Sequence, residues 1–350
     1  MTDRQNSIKT FLDEKGWGRA RREPLVADAS FRRYERLILA DRPAMLMNAP
    51  PPNERVDEFI TISQHLYSLG FSTPKIYAAD ISKGLLIIED LGNETFTKAL
   101  SAKEPKIETD LYNLAVDVLI KLQSNLREHI LPQNTQAYSI DNLLDEAQLL
   151  CDWTWGALFG NKPEIKVIDS YQAAWREALV PFIKKDETLV LRDYHVDNLM
   201  FLKNRSGIAK CGLLDFQDAV IGHRAYDLMS LLEDARRDIS SEIKETMLER
   251  YLSAFPSLDK KSFSSAFAVF AAQRHAKVIG IFTRLCMRDG KTEYLKHIPR
   301  VWRLLKKSLS HPSLAPVANW FDSNIPPEKR IAPSLIKMKY FTYLQAHSKL

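Results

Sequence analysis

Between residues 189 and 218 three short apolar runs, 189–192, 199–202 and 211–214, are separated by polar residues at fixed places. Asn204-Arg205-Ser206-Gly207 is a turn by composition, so 199–214 reads as a β-hairpin. Leu191-Arg192-Asp193-Tyr194-His195-Val196-Asp197-Asn198-Leu199 enters the hairpin, and Leu213-Leu214-Asp215-Phe216-Gln217-Asp218 leaves it. Asp193 and Asn198 have four residues between them, and Asp215 lies 17 beyond Asn198. Only a fold that closes this hairpin returns Asn198 and Asp215 to one place.

Those residue types at that spacing suit one chemistry. Phosphoryl transfer needs a carboxylate to orient the attacking hydroxyl and oxygen ligands to hold magnesium against nucleotide phosphates. The Asp193/Asn198 spacing is that of a kinase catalytic loop, and Asp215 opens a D-F-x tripeptide after an apolar strand, as a second metal ligand does. Asp193 is therefore the candidate catalytic carboxylate, and Asn198 and Asp215 are the candidate metal ligands. The bland reading makes all three helix caps or loop polars; the joint spacing between apolar strands argues against it. Asp193-x-His195-x-Asp197 also admits a metallohydrolase, but no H-x-H or H-E-x-x-H pair accompanies it. Gly290-Lys291-Thr292 resembles the end of a P-loop, yet Leu285 occupies the required glycine position.

The flanking sequence predicts an α+β chain. Residues 25–26, 34–39 and 44–47 read as strands, followed by the break Pro50-Pro51-Pro52. Val56, Phe59, Ile60, Ile62, Leu66 and Leu69 give a helix over 54–69 that Gly70 closes. Residues 76–79 and 84–88 read as a further strand pair. After Gly92 the pattern is helical over 108–126, 141–159, 170–184 and from about 225 to 310, interrupted by the strand island above. The expectation is a bilobal arrangement, with a small β-rich N-lobe over 1–92 and a larger, mostly helical C-lobe over 93–350. Ligands often bind where two such lobes meet.

Residues 188–234 resemble the aminoglycoside phosphotransferase family, a branch of the protein-kinase-like fold. Within it the chain is similar to the anomeric sugar kinases acting on N-acetylmuramate and N-acetylglucosamine in bacterial cell-wall recycling. The runs that carry this likeness are Asp28-Ala29-Ser30-Phe31-Arg32-Arg33-Tyr34, Met47-Asn48-Ala49-Pro50-Pro51, Asp215-Phe216-Gln217-Asp218-Ala219, Gln273-Arg274-His275-Ala276-Lys277-Val278-Ile279-Gly280-Ile281-Phe282 and Arg288-Asp289-Gly290-Lys291. The resemblance implies ATP and Mg2+ as cofactors and an amino-sugar substrate, with Asp193 as base and Asn198 and Asp215 on magnesium. It implies a nucleotide-phosphate contact at Ser30 and an adenine-facing hinge at Glu89-Asp90-Leu91-Gly92, and Arg32 is kept as a nucleotide-binding candidate. Asp227 resembles a helix-start aspartate that braces the catalytic loop. Other acceptors in the wider family (aminoglycoside, choline or homoserine) and a non-catalytic nucleotide-binding scaffold are the alternatives.

Three departures from the family pattern stand out. Leu191 replaces a histidine, Asn48 replaces an aspartate, and the strand 44–47 has no lysine to pair the phosphates. Arg32, Arg33 and Arg55 are the cations that can supply the missing charge, and the sequence alone does not choose among them. For the sugar, Lys277, Arg284 and Arg288 share one helical face, read as a basic lining for a carboxylate or phosphate against the default of a solvated face. Trp153 and Trp155 read as core aromatics, with Trp153 the candidate to stack on a sugar ring. His195 is a substrate-side candidate whose ordinary reading is a brace for the loop.

Composition excludes more than it selects. The net charge is +5, and the tail 328–350 contributes +4 of it, so the rest is near neutral and a nucleic-acid surface is not expected. Three scattered cysteines suggest neither zinc site nor disulfide framework and fit a reducing cytosol. No apolar run spans a bilayer and no signal core opens the chain, so a cytoplasmic protein without membrane contact is expected, as a monomer.

Overall fold

The computed structural model describes residues 3–25, 32–52, 54, 56–124, 130–132 and 134–334. In chain order the elements are α1 (Asp3–Glu14), β1 (Arg21–Pro24), β2 (Arg33–Leu39), β3 (Arg42–Asn48), α2 (Val56–Ser68), β4 (Ile76–Asp80), β5 (Leu85–Ile88), α3 (Phe96–Leu100) and α4 (Pro105–Gln123). Then come α5 (Ile140–Leu149), a π-helical stretch Leu150–Trp155, α6 (Gly156–Phe159), α7 (Ile165–Leu179), β6 (Glu187–Val190), β7 (Leu199–Phe201), β8 (Cys211–Leu213) and β9 (Val220–His223). The chain continues with α8 (Ala225–Leu232), α9 (Ser241–Ala254), α10 (Lys260–Asp289), α11 (Ile298–Leu309) and α12 (Ala315–Asn324). Packing divides it into two compact units, 1–134 with 191–219, and 135–190 with 220–350.

In the first unit an antiparallel sheet has the order β1-β2-β3-β5-β4. Ala44, Leu46, Leu85 and Ile87 point to one face, where Ile8, Phe11, Leu12 and Trp17 cover them. Full burial of each leucine, isoleucine or phenylalanine here is worth about 2 kcal/mol. Met45, Met47, Leu86 and Ile88 are buried on the opposite face. Both faces are thus closed, so β3 and β5 read as unbroken apolar runs. Arg4 of α1 donates to Asn48 Oδ1 (3.0 Å from Nε) and to the Gly84 carbonyl (3.3 Å). Asn48 thus ties α1 to the end of β3.

Three expectations need correction. The first strand is Arg21–Pro24, not 25–26: Leu25 N–H still donates to the Tyr34 carbonyl at 2.9 Å, and Val26 lies outside the described residues. Its residues are mostly charged and exposed, with Arg22 forked onto Glu35, so an edge strand of this kind carries no apolar alternation. The helix α1 was not anticipated. The expected single helix over 141–159 is interrupted by the π-helical stretch.

The second unit is mainly helical. The 30-residue α10 is buried from Val269 to Gly280 and packs against α5, the π stretch, α8 and α11. Asp259 caps its start by accepting from the Lys261 and Ser262 amides, and Gly290, at φ 70°, ends it in the left-handed conformation. Gly290 is therefore a C-cap rather than part of a phosphate loop. β6 pairs antiparallel with β9, a strand the apolar pattern did not reveal. Among the described residues no helix is long and apolar enough to cross a membrane.

Candidate active site

The candidate catalytic residues Asp193, Asn198 and Asp215 lie wholly in the first unit. β7 and β8 pair antiparallel, with Leu199 opposite Leu213, and Leu214 N–H donates to the Asn198 carbonyl at 3.0 Å. This closes the hairpin where Asn198 and Asp215 leave it. Asn198 Nδ2 lies 3.4 Å from Asp215 Oδ2 and donates to the Asp193 carbonyl at 3.0 Å. One amide side chain thus ties the other two residues together.

The loop is anchored from below. Tyr194 is buried and donates to the Ala115 carbonyl of α4 at 2.8 Å. Asp193 N–H donates to the Leu191 carbonyl at 2.9 Å, with Leu191 itself buried, so an apolar residue anchors the loop here. His195 is buried with Nε2 3.4 Å from Asn198 Nδ2, the position of a brace. Thr97 of α3 donates to Asp197. Tyr194 and Thr97 were missed by sequence reasoning, because their partners are remote along the chain.

Arg192 and Asp215 have left-handed φ values of 69° and 55°. For residues with a Cβ this costs on the order of 1–3 kcal/mol, a strain typical of functional loops. Phe216 stacks on Phe59 of α2, with centroids 5.0 Å apart and planes at 27°, and this fixes the turn after Asp215. Gln217 Nε2 donates to Asp215 Oδ1 at 2.9 Å and to Asp218 Oδ2 at 3.0 Å. The Asp215 side chain remains 46% exposed. Crowding by protein and then the nearby Asp193 hold its carboxyl above the usual range, against Gln217 and Arg32. Two carboxylates kept close together fit a divalent cation, and magnesium takes oxygen ligands with only one or two from protein. The Asp215 carboxylate and the Asn198 amide oxygen are the groups that would hold it. Among the described residues no three His, Cys, Asp or Glu side chains gather into a metal cage.

The hinge carboxylates are already engaged. Asp90 is forked by Arg36 (2.5 and 3.2 Å), which also reaches Asn93 at 2.7 Å. Glu89 pairs with Arg205 at 2.6 Å and accepts from the Lys75 amide. Both side chains are therefore held by protein partners. Ser30 and Arg55 lie outside the described residues. Arg32 is placed between Glu54 (2.9 Å) and Asp215 (3.8 Å).

The remaining candidates belong to the second unit. Lys277 is buried and paired with Glu146 at 2.9 Å, and Arg288 forks onto Asp289 at 2.7 and 2.9 Å. Arg284 is half-buried. Trp153 is half-buried on the π stretch, while Trp155 packs against Phe159 and Trp320. Asp227 is fully buried in the first turn of α8.

Residues 21–260 match the phosphotransferase enzyme family, and the chain belongs to it: it is a phosphotransferase. A protein of Caulobacter vibrioides named N-acetylmuramate/N-acetylglucosamine kinase is 34% identical over 94% of this chain and 99% of its own length. A Pseudomonas aeruginosa protein of the same name is 34% identical over 86% of this chain and 88% of its own. Among solved structures, a choline/ethanolamine kinase family protein from Mesorhizobium loti matches with TM-score 0.60 at 12% identity, covering 91% of this chain and 98% of that one. That likeness shows the kinase-like α+β fold.

Proposed function

We propose that the chain is an ATP- and magnesium-dependent kinase of the anomeric hydroxyl of N-acetylmuramate and N-acetylglucosamine, serving cytoplasmic reuse of cell-wall sugars. The observation that carries the reading is the closed hairpin, in which the Asn198 amide meets both Asp215 and the backbone of Asp193. The names of the relatives supply the acceptor.

In this reading Asp193 orients the sugar hydroxyl and takes its proton as the oxygen attacks the γ-phosphorus; the bond to the leaving ADP oxygen breaks in line. Magnesium, held by Asn198 and Asp215, would neutralise charge on the phosphate oxygens. Buried Tyr194 and His195 keep Asp193 in register. On the sugar side Lys277, Arg284, Arg288 and Trp153 are the candidate contacts.

The test is transfer from ATP to a panel of acceptors, with the phosphate position read by NMR. Phosphate on the anomeric oxygen of either amino sugar is the expected product. Asp193→Ala should lower kcat by roughly 100- to 10,000-fold, the contribution of a positioned acid–base group, with the melting temperature nearly unchanged. Transfer only to choline or an aminoglycoside would overturn the acceptor assignment, and undiminished turnover in Asp193→Ala would overturn the mechanism.

A further inference from the structure

β3 reads Arg42-Pro43-Ala44-Met45-Leu46-Met47-Asn48, and its central four residues are buried and apolar. That central stretch offers no cation to a nucleotide, and Arg42 at the exposed start of the strand lies over the Trp17 ring. A triphosphate in such a site still needs one, because its β- and γ-oxygens carry the charge that grows during transfer. Arg33 is exposed, with Nη1 donating to the Arg32 carbonyl at 3.0 Å.

Arg32 is different. Its side chain is only 10% exposed, and Nε is 2.9 Å from Glu54 Oε2, itself 12% exposed. Nη1 lies 3.8 Å from Asp215 Oδ1. The first distance is a charge-assisted hydrogen bond; the second is attraction beyond hydrogen-bond length. Glu54 thus fixes the stem side of a planar fork, and the fork's outer end faces the proposed metal ligand. A phosphate sharing a cation with Asp215 would bring its oxygens next to that end. A guanidinium suits them because its parallel donors match phosphate geometry. Glu54 lies two residues before the start of α2. A lysine from β3 and a glutamate from the adjacent helix make the corresponding pair in protein kinases.

We propose that Arg32, oriented by Glu54, is the phosphate-gripping cation of this enzyme and replaces the lysine that β3 lacks. Arg32 touches the nucleotide; Glu54 is a positioning residue. The inference rests on the nucleotide half of the proposed function and is independent of the acceptor.

The test is equilibrium binding of ATP, ADP and AMP, with and without magnesium, to the wild type, Arg32→Ala, Arg32→Lys and Glu54→Gln, alongside turnover. Arg32→Ala should weaken ATP by roughly 10- to 100-fold, the worth of one or two charge-assisted hydrogen bonds, and leave AMP within about two-fold. Arg32→Lys should restore part of the ATP affinity, and added guanidinium part of the Arg32→Ala turnover. Glu54→Gln should shift ATP in the same direction, with no added effect in the Arg32→Ala background. Equal weakening of ATP and AMP, or unchanged ATP affinity, would overturn the assignment. A wild type that binds ATP through Arg32 but phosphorylates neither amino sugar would refute the acceptor and uphold Arg32. Sugar phosphorylation with Arg32-independent ATP binding would do the reverse.

Discussion

Arg284 differs from the other two cations on its helical face. Lys277 already has Glu146 and Arg288 already has Asp289. The Nε of Arg284 is buried, with no acceptor among the described residues. Burial and then Arg288 lower its pKa, with Asp289 opposing. A guanidinium with a buried N–H that meets no acceptor benefits from a ligand that brings one. N-acetylmuramate has a lactyl carboxylate that N-acetylglucosamine lacks. Under the proposed function, Arg284→Glu should raise KM for the muramate by roughly 10- to 100-fold and leave the glucosamine within about three-fold. Steady-state kinetics with both sugars decides it, and equal losses would take Arg284 out of substrate selection.

At the scale of elements, the π-helical stretch depends on a close approach. A Cβ on Gly280 would lie 2.4 Å from the Leu149 carbonyl carbon and 2.5 Å from its oxygen, both backbone atoms. Three residues on, the Thr283 hydroxyl lies 3.0 Å from that of Thr154 within the π stretch. The helix carrying Trp153 is therefore seated on α10 at a glycine and a threonine. Gly280→Ala should cost about 1–3 kcal/mol, the usual penalty for overpacking, and lower the urea midpoint accordingly. A midpoint equal to wild type would refute the close approach. The same region shows where sequence reading ends. α2, α4 and the β7–β8 hairpin were legible because each repeats apolar residues at its own period or brackets a turn. A π stretch adds a residue per turn without changing that pattern visibly, so 141–159 read as one helix. α1 left a trace in Ile8, Phe11 and Leu12, spaced by three and one, but a single turn of apolar residues is weak beside its polar remainder. The proximity of Asp193, Asn198 and Asp215 could be read from local spacing. Their supports, Tyr194 on Ala115, Arg36 on Asp90 and Glu54 on Arg32, could not, since each joins residues 22 to 79 positions apart.

At the scale of the whole molecule, two buried histidines should govern acid stability. His223 accepts the Ala225 N–H on Nδ1 at 3.1 Å, so its neutral form is the one the fold uses. It sits between Phe182 and Phe270, and Asp186 is 3.9 Å from Nε2. Burial lowers its pKa to about 4, with Arg224 and Lys185 adding to the effect and Asp186 opposing. His275, on α10, is lowered to about 4 as well, again chiefly by burial, with Arg274 and Lys244 adding and Glu233 opposing. Between the unfolded value near 6.5 and the folded value near 4, the unfolded chain binds more protons than the native one. Stability therefore rises with pH across that window and is lost as the medium is acidified through it. At about 1.4 kcal/mol per pH unit, each histidine accounts for roughly 3 kcal/mol at most. Urea unfolding at pH 7, 5.5 and 4.5 should show the decline. A His223→Gln/His275→Gln chain should start less stable at pH 7, because the Ala225 contact and the histidine packing are disturbed, yet lose distinctly less on going to pH 4.5. Parallel pH profiles for the two chains would mean that the acid sensitivity resides in other groups.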